Sequence, residues 1–135
     1  MNTEFSGKSL SQKLGLKEGL DISVVNAPNR FFDYLSDFPE PLSPDARLEK
    51  LNDMIIYFTE NKKSLKQTFP GLKDSIKRDG MIWVAWQKKA AEIKSDVDEN
   101  VIRDTGIDNK MVDIKVISID EQWSGLKFVI PKNLR

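Results

Sequence analysis

Positively charged side chains follow two apolar segments of the chain, where they could bind an anion. Arg30 comes shortly after the apolar run 21–25, and two lysines follow the apolar run 81–86. If both runs are parallel strands of one sheet, their carboxyl ends lie at the same edge and the loops converge. Cationic groups near the free N–H groups of helix N-termini favour phosphate or carboxylate ligands. The predicted ligand-binding residues of these loops are Asn26, Asn29, Arg30, Lys88 and Lys89. The alternative is that the lysines only keep the end of a buried strand solvated.

The three tryptophans suggest aromatic surfaces on which a base or nucleoside could stack. Trp83 and Trp86 lie in one apolar run with opposite parity, so they point to different faces of a strand, and core packing explains them better. Trp123 begins the last predicted strand beside Gly125, a residue type that marks a bulge or a close approach of backbone. Trp123 is therefore the tryptophan for which we predict a surface role in ligand binding.

The chain contains no histidine and no cysteine, which removes several kinds of chemistry. It has no imidazole base, no thiolate nucleophile and no ordinary zinc site. Asp120 and Glu121 form an acidic pair in a predicted turn, but they lack the spacing of a calcium loop. The remaining Asp, Glu, Lys and Tyr residues show no recognisable catalytic spacing. The sequence therefore predicts no catalytic residue and no metal site, and it assigns no cofactor.

Two segments that are apolar on both faces, 54–58 and 81–86, predict central parallel strands covered by helices above and below. The short connection at 120–122 predicts that the last two strands form an antiparallel hairpin. The complete set of predicted strands is 21–25, 47–51, 54–58, 81–86, 111–119 and 123–130.

Helices are predicted between the strands from capping residues and apolar spacing. They are Ser9–Leu16, a helix through Ser36 capped by Asn29, a helix capped by Thr59 or Asn61, and a helix from Asp98 that stops at Gly106. This alternation predicts an α/β, Rossmann-like fold with a mostly parallel sheet, helices on both faces and a C-terminal antiparallel hairpin. Ligands of such folds sit beyond the carboxyl ends of the strands.

Composition limits the partners that the chain can have. Its 135 residues include 21 Lys+Arg and 21 Asp+Glu, so the net charge is zero and neither nucleic acid nor an anionic membrane is expected as a partner. The longest apolar run, 81–86, is far shorter than the roughly 20 residues of a membrane-spanning helix. We expect a single Rossmann-like domain over 1–135, with 1–7 as a flexible N-terminus, and a cytoplasmic location.

The order of these elements, with Asn52–Ile56 and then Ile76–Val84 before a helix and a terminal hairpin, resembles a known topology. It is similar to the class I methyltransferases that use S-adenosylmethionine, in a shortened form. More narrowly, the chain resembles small proteins grouped as domain of unknown function 3052, over nearly its whole length. That resemblance rests on 13–16 (KLGL), 26–28 (NAP), 79–89 (DGMIWVAWQKK), 112–116 (VDIKV) and 123–129 (WSGLKFV). It brings no established activity with it.

The turn after the first strand departs from the methyltransferase pattern. In those enzymes it is rich in glycine, because only glycine lets the backbone approach the cofactor closely with positive φ. Here Ala27 adds a Cβ, and Pro28 fixes φ and removes an N–H donor. The acidic residue that holds the ribose in methyltransferases corresponds by position to Glu49.

Two functional hypotheses remain open at this point. The missing glycines and the missing catalytic spacing favour a non-catalytic interaction or regulatory module with an unknown protein partner. The alternative is a protein that binds a small nucleotide or anionic ligand, or a divergent S-adenosylmethionine-dependent enzyme. Loop composition does not choose between them, because function is argued from the geometry of a site.

Overall fold

The fold is built on one five-stranded sheet. The computed structural model describes residues 7–89 and 95–135. Its strands are β1 Ile22–Val25, β2 Asn52–Phe58, β3 Ile76–Gln87, β4 Val112–Ser118 and β5 Trp123–Val129, in the order β1-β2-β3-β5-β4. β1, β2 and β3 are parallel, and β5 is antiparallel to both β3 and β4. The predicted mostly parallel sheet with a C-terminal antiparallel hairpin is confirmed.

The two predicted central strands lie side by side in the same direction, with Ile55 opposite Ile82 and Phe58 opposite Ala85. Every residue of 54–58 is buried, as expected for a strand covered on both faces. Because β2 and β3 run in the same direction, their carboxyl ends lie at the same edge of the sheet.

In the described residues, four helices cover the two faces of the sheet. They are α1 Leu10–Leu14, α2 Asn29–Asp33, α3 Lys62–Asp74 and α4 Glu99–Asp108, followed by a short 3₁₀ turn at Lys132–Leu134. α1 and α2 pack on one face and α3 and α4 pack on the other. Asn61 and Asp98 cap α3 and α4 by accepting backbone N–H bonds at 2.8 and 2.9 Å.

Trp83 and Trp86 lie in the two different core clusters, as their parity predicts. Trp83 packs beneath α1, and its indole Nε1–H donates to the carbonyl oxygen of Leu14 at 3.1 Å. The interior therefore has two halves separated by the sheet, and α1 is attached to one of them by a buried hydrogen bond.

The predicted strand at 47–51 is wrong, because this segment is a turn. The side-chain amide of Asn52 donates to the carbonyls of Arg47 and Lys50 at 3.1 Å each, which holds the backbone in the turn. Glu49 lies in that turn at the amino end of β2, so its match to a ribose-binding acid is also wrong.

The bounds of α2 and α4 also differ from the prediction. Asn29 is the first residue of α2 and not its cap: the preceding Pro28 is extended and makes no side-chain capping bond, and the helix ends at Asp33. α4 continues past Gly106 to Asp108. Gly106 is buried where the ring of Phe128 packs against the helix, and a Cβ there would overlap that ring, so this glycine serves packing.

Residues 1–6 of the predicted flexible N-terminus lie outside the described residues. Within 7–89 and 95–135, no helix has the length and apolar character needed to cross a membrane.

Candidate functional site

Four connections meet at the carboxyl edge of the parallel strands. Three follow β1, β2 and β3, and the fourth is the turn between β4 and β5, because the start of the antiparallel β5 pairs with the end of β3 through Gln87 and Trp123. The backbone N–H of Thr59 donates to the carbonyl of Ala85, and that of Lys88 donates to the carbonyl of Gln122, at 2.9 and 2.8 Å. The topology thus places the hairpin turn beside the loops that the sequence singled out.

Asn26 directly follows β1 and lies in the left-handed region, with φ 60°, and its side chain is exposed. Asparagine tolerates this conformation better than most residues that carry a Cβ. The positive φ that sequence reasoning associated with glycine is therefore present in a loop without glycine.

Arg30 and Tyr34 reach from α2 and the turn after it to the carboxylate of Asp120. Arg30 Nε lies 3.5 Å from Asp120 Oδ2, and the Tyr34 hydroxyl donates to the same oxygen at 2.9 Å. A second guanidinium nitrogen of Arg30 donates to the side-chain oxygen of Gln122, whose amide donates to the side-chain oxygen of Gln87 at 3.1 Å. We call Arg30, Tyr34, Gln87, Asp120 and Gln122 the polar cluster.

Asp120 also holds the shape of the hairpin turn. Its Oδ1 accepts the backbone N–H groups of Gln122 and Trp123, both at 2.8 Å. Burial, and then the hydrogen bond to Asp120, raises the pKa of Tyr34 above its ordinary value. Tyr34 is therefore a protonated hydrogen-bond donor at neutral pH and not a base.

Lys88 is bound to the hairpin by its ammonium group. Its Nζ donates to Ser118 Oγ at 2.7 Å and to the carbonyl oxygen of Asp120 at 2.6 Å. Lys88 thus fastens the end of β3 to the turn between β4 and β5. This contact is structural, and an anion at Lys88 would have to share the ammonium group with it.

The other predicted ligand residues of the loops are exposed. Asn29 lies in the first turn of α2, and Lys89 lies in the turn that follows β3. The structure brings Arg30 and Lys88 to the same turn and leaves Asn26, Asn29 and Lys89 at the surface. The assignment of these five residues to a ligand stays a prediction.

The predicted surface position of Trp123 is wrong, because the residue is only 6% exposed, whereas its assignment to a ligand stays a prediction. The start of β5 lies against the core, where the Trp123 ring packs edge-on to Phe58 with centroids 5.0 Å apart. Its indole N–H is buried and donates to no acceptor among the described residues. Because most buried donors in proteins are paired, the indole N–H of Trp123 is an exception, and it lies in the core beneath the carboxyl edge.

The sequence predicts no site at Tyr34 or Gln122, and it explains Asp120 by its turn alone. The available signal was topological: a hairpin whose second strand pairs antiparallel with β3 must turn at the carboxyl end of β3. Side-chain contacts between α2 and that turn depend on tertiary packing and leave no periodic pattern. In the part of the chain that the structure describes, no group of three or more Asp, Glu, His or Cys residues could hold a metal ion.

No protein-family model matches this chain, and no curated protein matches its sequence, so the resemblance to domain of unknown function 3052 has no support here. Solved structures do match. A TehB-like S-adenosylmethionine-dependent methyltransferase from Corynebacterium glutamicum has a TM-score of 0.56 at 10% identity, covering 96% of this chain and 92% of that chain.

Two further methyltransferases show a similar likeness. Ribosomal protein L11 methylase from Lactobacillus delbrueckii subsp. bulgaricus has a TM-score of 0.57 at 10% identity, over 90% of this chain and 75% of that one. Magnesium protoporphyrin IX methyltransferase from Synechocystis PCC 6803, solved with S-adenosylmethionine, has a TM-score of 0.54 at 10% identity, over 83% and 70%. Such identities show the fold alone: the chain has the Rossmann-like fold of S-adenosylmethionine-dependent methyltransferases.

Proposed function

We propose that this protein binds S-adenosylmethionine, or its product S-adenosylhomocysteine, as a divergent member of the methyltransferase fold. The observation that carries the proposal is the left-handed backbone of Asn26 at the end of β1. A positive φ at this position turns the backbone sharply, so that a ligand can approach the main chain closely. The shared fold supports the proposal only at the level of topology.

The residues at the carboxyl edge suit the two ends of such a ligand in different ways. The loop 26–28 would contact the nucleoside through its backbone. Because Pro28 has no N–H group, this loop has fewer backbone donors than a glycine loop. Arg30 would bind the carboxylate of the amino-acid end, because a guanidinium has five N–H donors and the contacts to Asp120 and Gln122 use only part of them.

The strand order predicts that binding is modest. In open α/β sheets, ligands bind where the strand order reverses. Here β1, β2 and β3 follow one another in one direction and β1 lies at the sheet edge. A ligand at the end of β1 would therefore have a neighbouring strand on one side only, and less of its surface would be buried.

Isothermal titration calorimetry of the full chain with S-adenosylmethionine and S-adenosylhomocysteine tests the proposal. A matched pair of variants tests the backbone argument. Asn26→Gly keeps the left-handed conformation and should bind like the wild type, whereas Asn26→Val cannot adopt it without strain and should bind at least about tenfold more weakly. Circular dichroism checks that both variants are folded. Equal affinities of the two variants, or no binding heat in the wild type, would contradict the proposal.

A non-catalytic interaction module is the second candidate, and the exposed apolar side chains of β4 favour it. Val112, Ile114 and Val116 are 39%, 52% and 44% exposed on a strand at the sheet edge. Exposed apolar edge strands are a common route to strand pairing with a partner. This candidate predicts that a partner co-purifies with the wild type but not with Ile114→Lys, while neither adenosyl compound gives a binding heat.

A further inference from the structure

Three lysines gather on the α1 face of the sheet, at the β4–β5 hairpin whose turn also contacts Lys88. Lys115 of β4 is directly opposite Lys127 of β5, and Lys127 is opposite Trp83 of β3, whose ring is buried beneath α1. Lys13 of α1 reaches across to the same hairpin, where its Nζ donates to the carbonyl oxygen of Ser118 at 2.8 Å. We call Lys13, Lys115 and Lys127 the lysine cluster.

Burial and the repulsion between neighbouring ammonium groups are unfavourable for the charges of the lysine cluster. Burial lowers the pKa of Lys13, and the charges of Lys88 and Lys115 lower it further. Burial also lowers the pKa of Lys127, with a contribution from Lys115. Like charges directly opposite each other in a sheet are destabilising. Among the described residues, no carboxylate forms an ion pair with a member of the cluster.

Ordinary structural roles account for part of the lysine cluster but not for all of it. Lys13 lies in the last turn of α1, where free carbonyl groups favour a cation. Lys115 lies on an edge strand, where lysine discourages pairing with other chains. Neither role applies to Lys127, which lies on the interior strand β5, partly buried and opposite another lysine.

We propose that the lysine cluster binds a small dianion of the phosphate class, either free phosphate or the phosphate group of a phosphomonoester. Among the described residues these three ammonium groups have no carboxylate partner, which leaves positive charge that such a dianion would neutralise. Each ammonium group has three N–H donors, and Lys13 uses one of them on Ser118. Charge-assisted hydrogen bonds from lysine to phosphate oxygens are among the stronger ones in proteins. This inference is independent of adenosyl-ligand binding at the carboxyl edge.

The test is a titration of the full chain with inorganic phosphate at neutral pH and constant ionic strength, followed by thermal unfolding. We expect a saturable rise in the Tm of the wild type. Lys127→Gln and the more exposed Lys115→Gln should each weaken the apparent affinity at least about tenfold, the effect of losing one charge-assisted hydrogen bond. Lys66→Gln, which removes the same charge from the exposed side of α3, should behave like the wild type.

A parallel titration with glycerol 3-phosphate distinguishes the two sources of the phosphate group. Equal affinity assigns the site to the phosphate group alone, whereas tighter binding assigns it to an organic phosphate. A rise in Tm that does not saturate and is equal in all variants would be general stabilisation by an excluded salt, and it would overturn the proposal. Absence of any rise in the wild type would overturn it equally.

Discussion

Lysines occupy two opposed environments in this protein. At the amino edge of the sheet, Lys77 lies 3.1 Å from Asp53 and 3.7 Å from Asp21, and Lys50 lies 2.9 Å from Asp21. In the lysine cluster on the α1 face, no such carboxylate partner exists among the described residues. In the described residues, lysine charges are thus paired with carboxylates at the amino edge and have no carboxylate partner in the lysine cluster.

The pKa directions express this contrast. The hydrogen bond to Asp53 raises the pKa of Lys77, whereas burial and neighbouring lysines lower the pKa of Lys13 and Lys127. Folding favours the charged form of Lys77 and disfavours the charged forms of Lys13 and Lys127. Lysines that are paired with carboxylates of the chain itself have a structural role. The proposed anion would supply the missing negative charge in the lysine cluster.

Buried polar groups show a similar contrast, here between the amino and carboxyl ends of the strands. At the amino edge, the Asn52 side chain accepts from Ser23 Oγ at 2.8 Å and donates to three carbonyls, including that of Ser75 at 3.2 Å. At the carboxyl edge, the indole N–H of Trp123 has no acceptor among the described residues. The amino edge is thus satisfied in its hydrogen bonds as well as in its charges.

The largest expected effect comes from disrupting the satisfied region. Asn52→Ala leaves the Ser23 hydroxyl without its acceptor and the carbonyls of Arg47 and Lys50 without the side-chain amide donor, so we expect the free energy of unfolding to fall by about 3 kcal/mol. The matched control Asn61→Ala removes an exposed helix cap and should cost about 1 kcal/mol. Urea denaturation measures both, and equal losses would show that the amino edge is not specially stabilised.

A smaller effect of opposite sign is expected in the lysine cluster. In phosphate-free buffer, Lys127→Gln relieves the repulsion from Lys115 and should raise the free energy of unfolding by up to about 1 kcal/mol. Lys77→Gln removes a paired lysine and should lower it. The two variants carry the same change of charge, so their opposite signs in urea denaturation are the direct measure of the contrast. A loss of stability in both would contradict it.

Alkaline pH should separate the two kinds of lysine further. A lysine with a lowered pKa in the folded state opposes folding at neutral pH, and this penalty disappears as pH rises towards the unfolded value of about 10.4. The stability difference between Lys127→Gln and the wild type should therefore shrink over the range just below that pH. The contribution of Lys77 has the opposite sign: it is present below about 10.4 and is lost as pH rises through its raised pKa. Urea midpoints at several pH values measure both trends, and a difference for Lys127→Gln that stays constant would refute the assignment.

The smallest effect is expected from Asp21→Asn. The hydrogen bond and charge of Lys50 lower the pKa of Asp21, so its stabilising contribution is present above the ordinary value of about 3.9 and is lost as pH falls below it. Because the pair is exposed, the loss at neutral pH should be slight and should shrink with added salt. Denaturation at low and high salt measures it, and a large salt-independent loss would show that Asp21 is structurally indispensable.

Much of the fold was predictable because its signals are local. Continuous apolar runs identified the central strands at 54–58 and 81–86, and the short connection at 120–122 identified the hairpin. The strand predicted at 47–51 failed because a single side chain, Asn52, bonds to the backbone of that segment from outside it. The sequence predicts a helix end at Gly106, because glycine is typical of helix ends and the packing partner Phe128 is too distant in sequence to be recognised.

The candidate sites were predictable only in their backbone positions. The sequence located loops at 26–30 and 87–89 at one sheet edge, and the parallel strands confirm that placement. It did not reveal that Arg30 meets Asp120, because ninety residues separate the two and only the packing of α2 against the hairpin joins them.

By itself, the sequence determined the fold class, the central strands and the exclusion of cysteine and histidine chemistry, since each follows from residue types and their periodicity over a few residues. Only the tertiary structure decided which charges are paired. The strand register sets Lys127 opposite Lys115 and brings Lys77 to Asp53, and register depends on the packing of the whole sheet. The energy of a charge depends on the neighbours that folding gives it, and in this protein those neighbours come from distant parts of the chain.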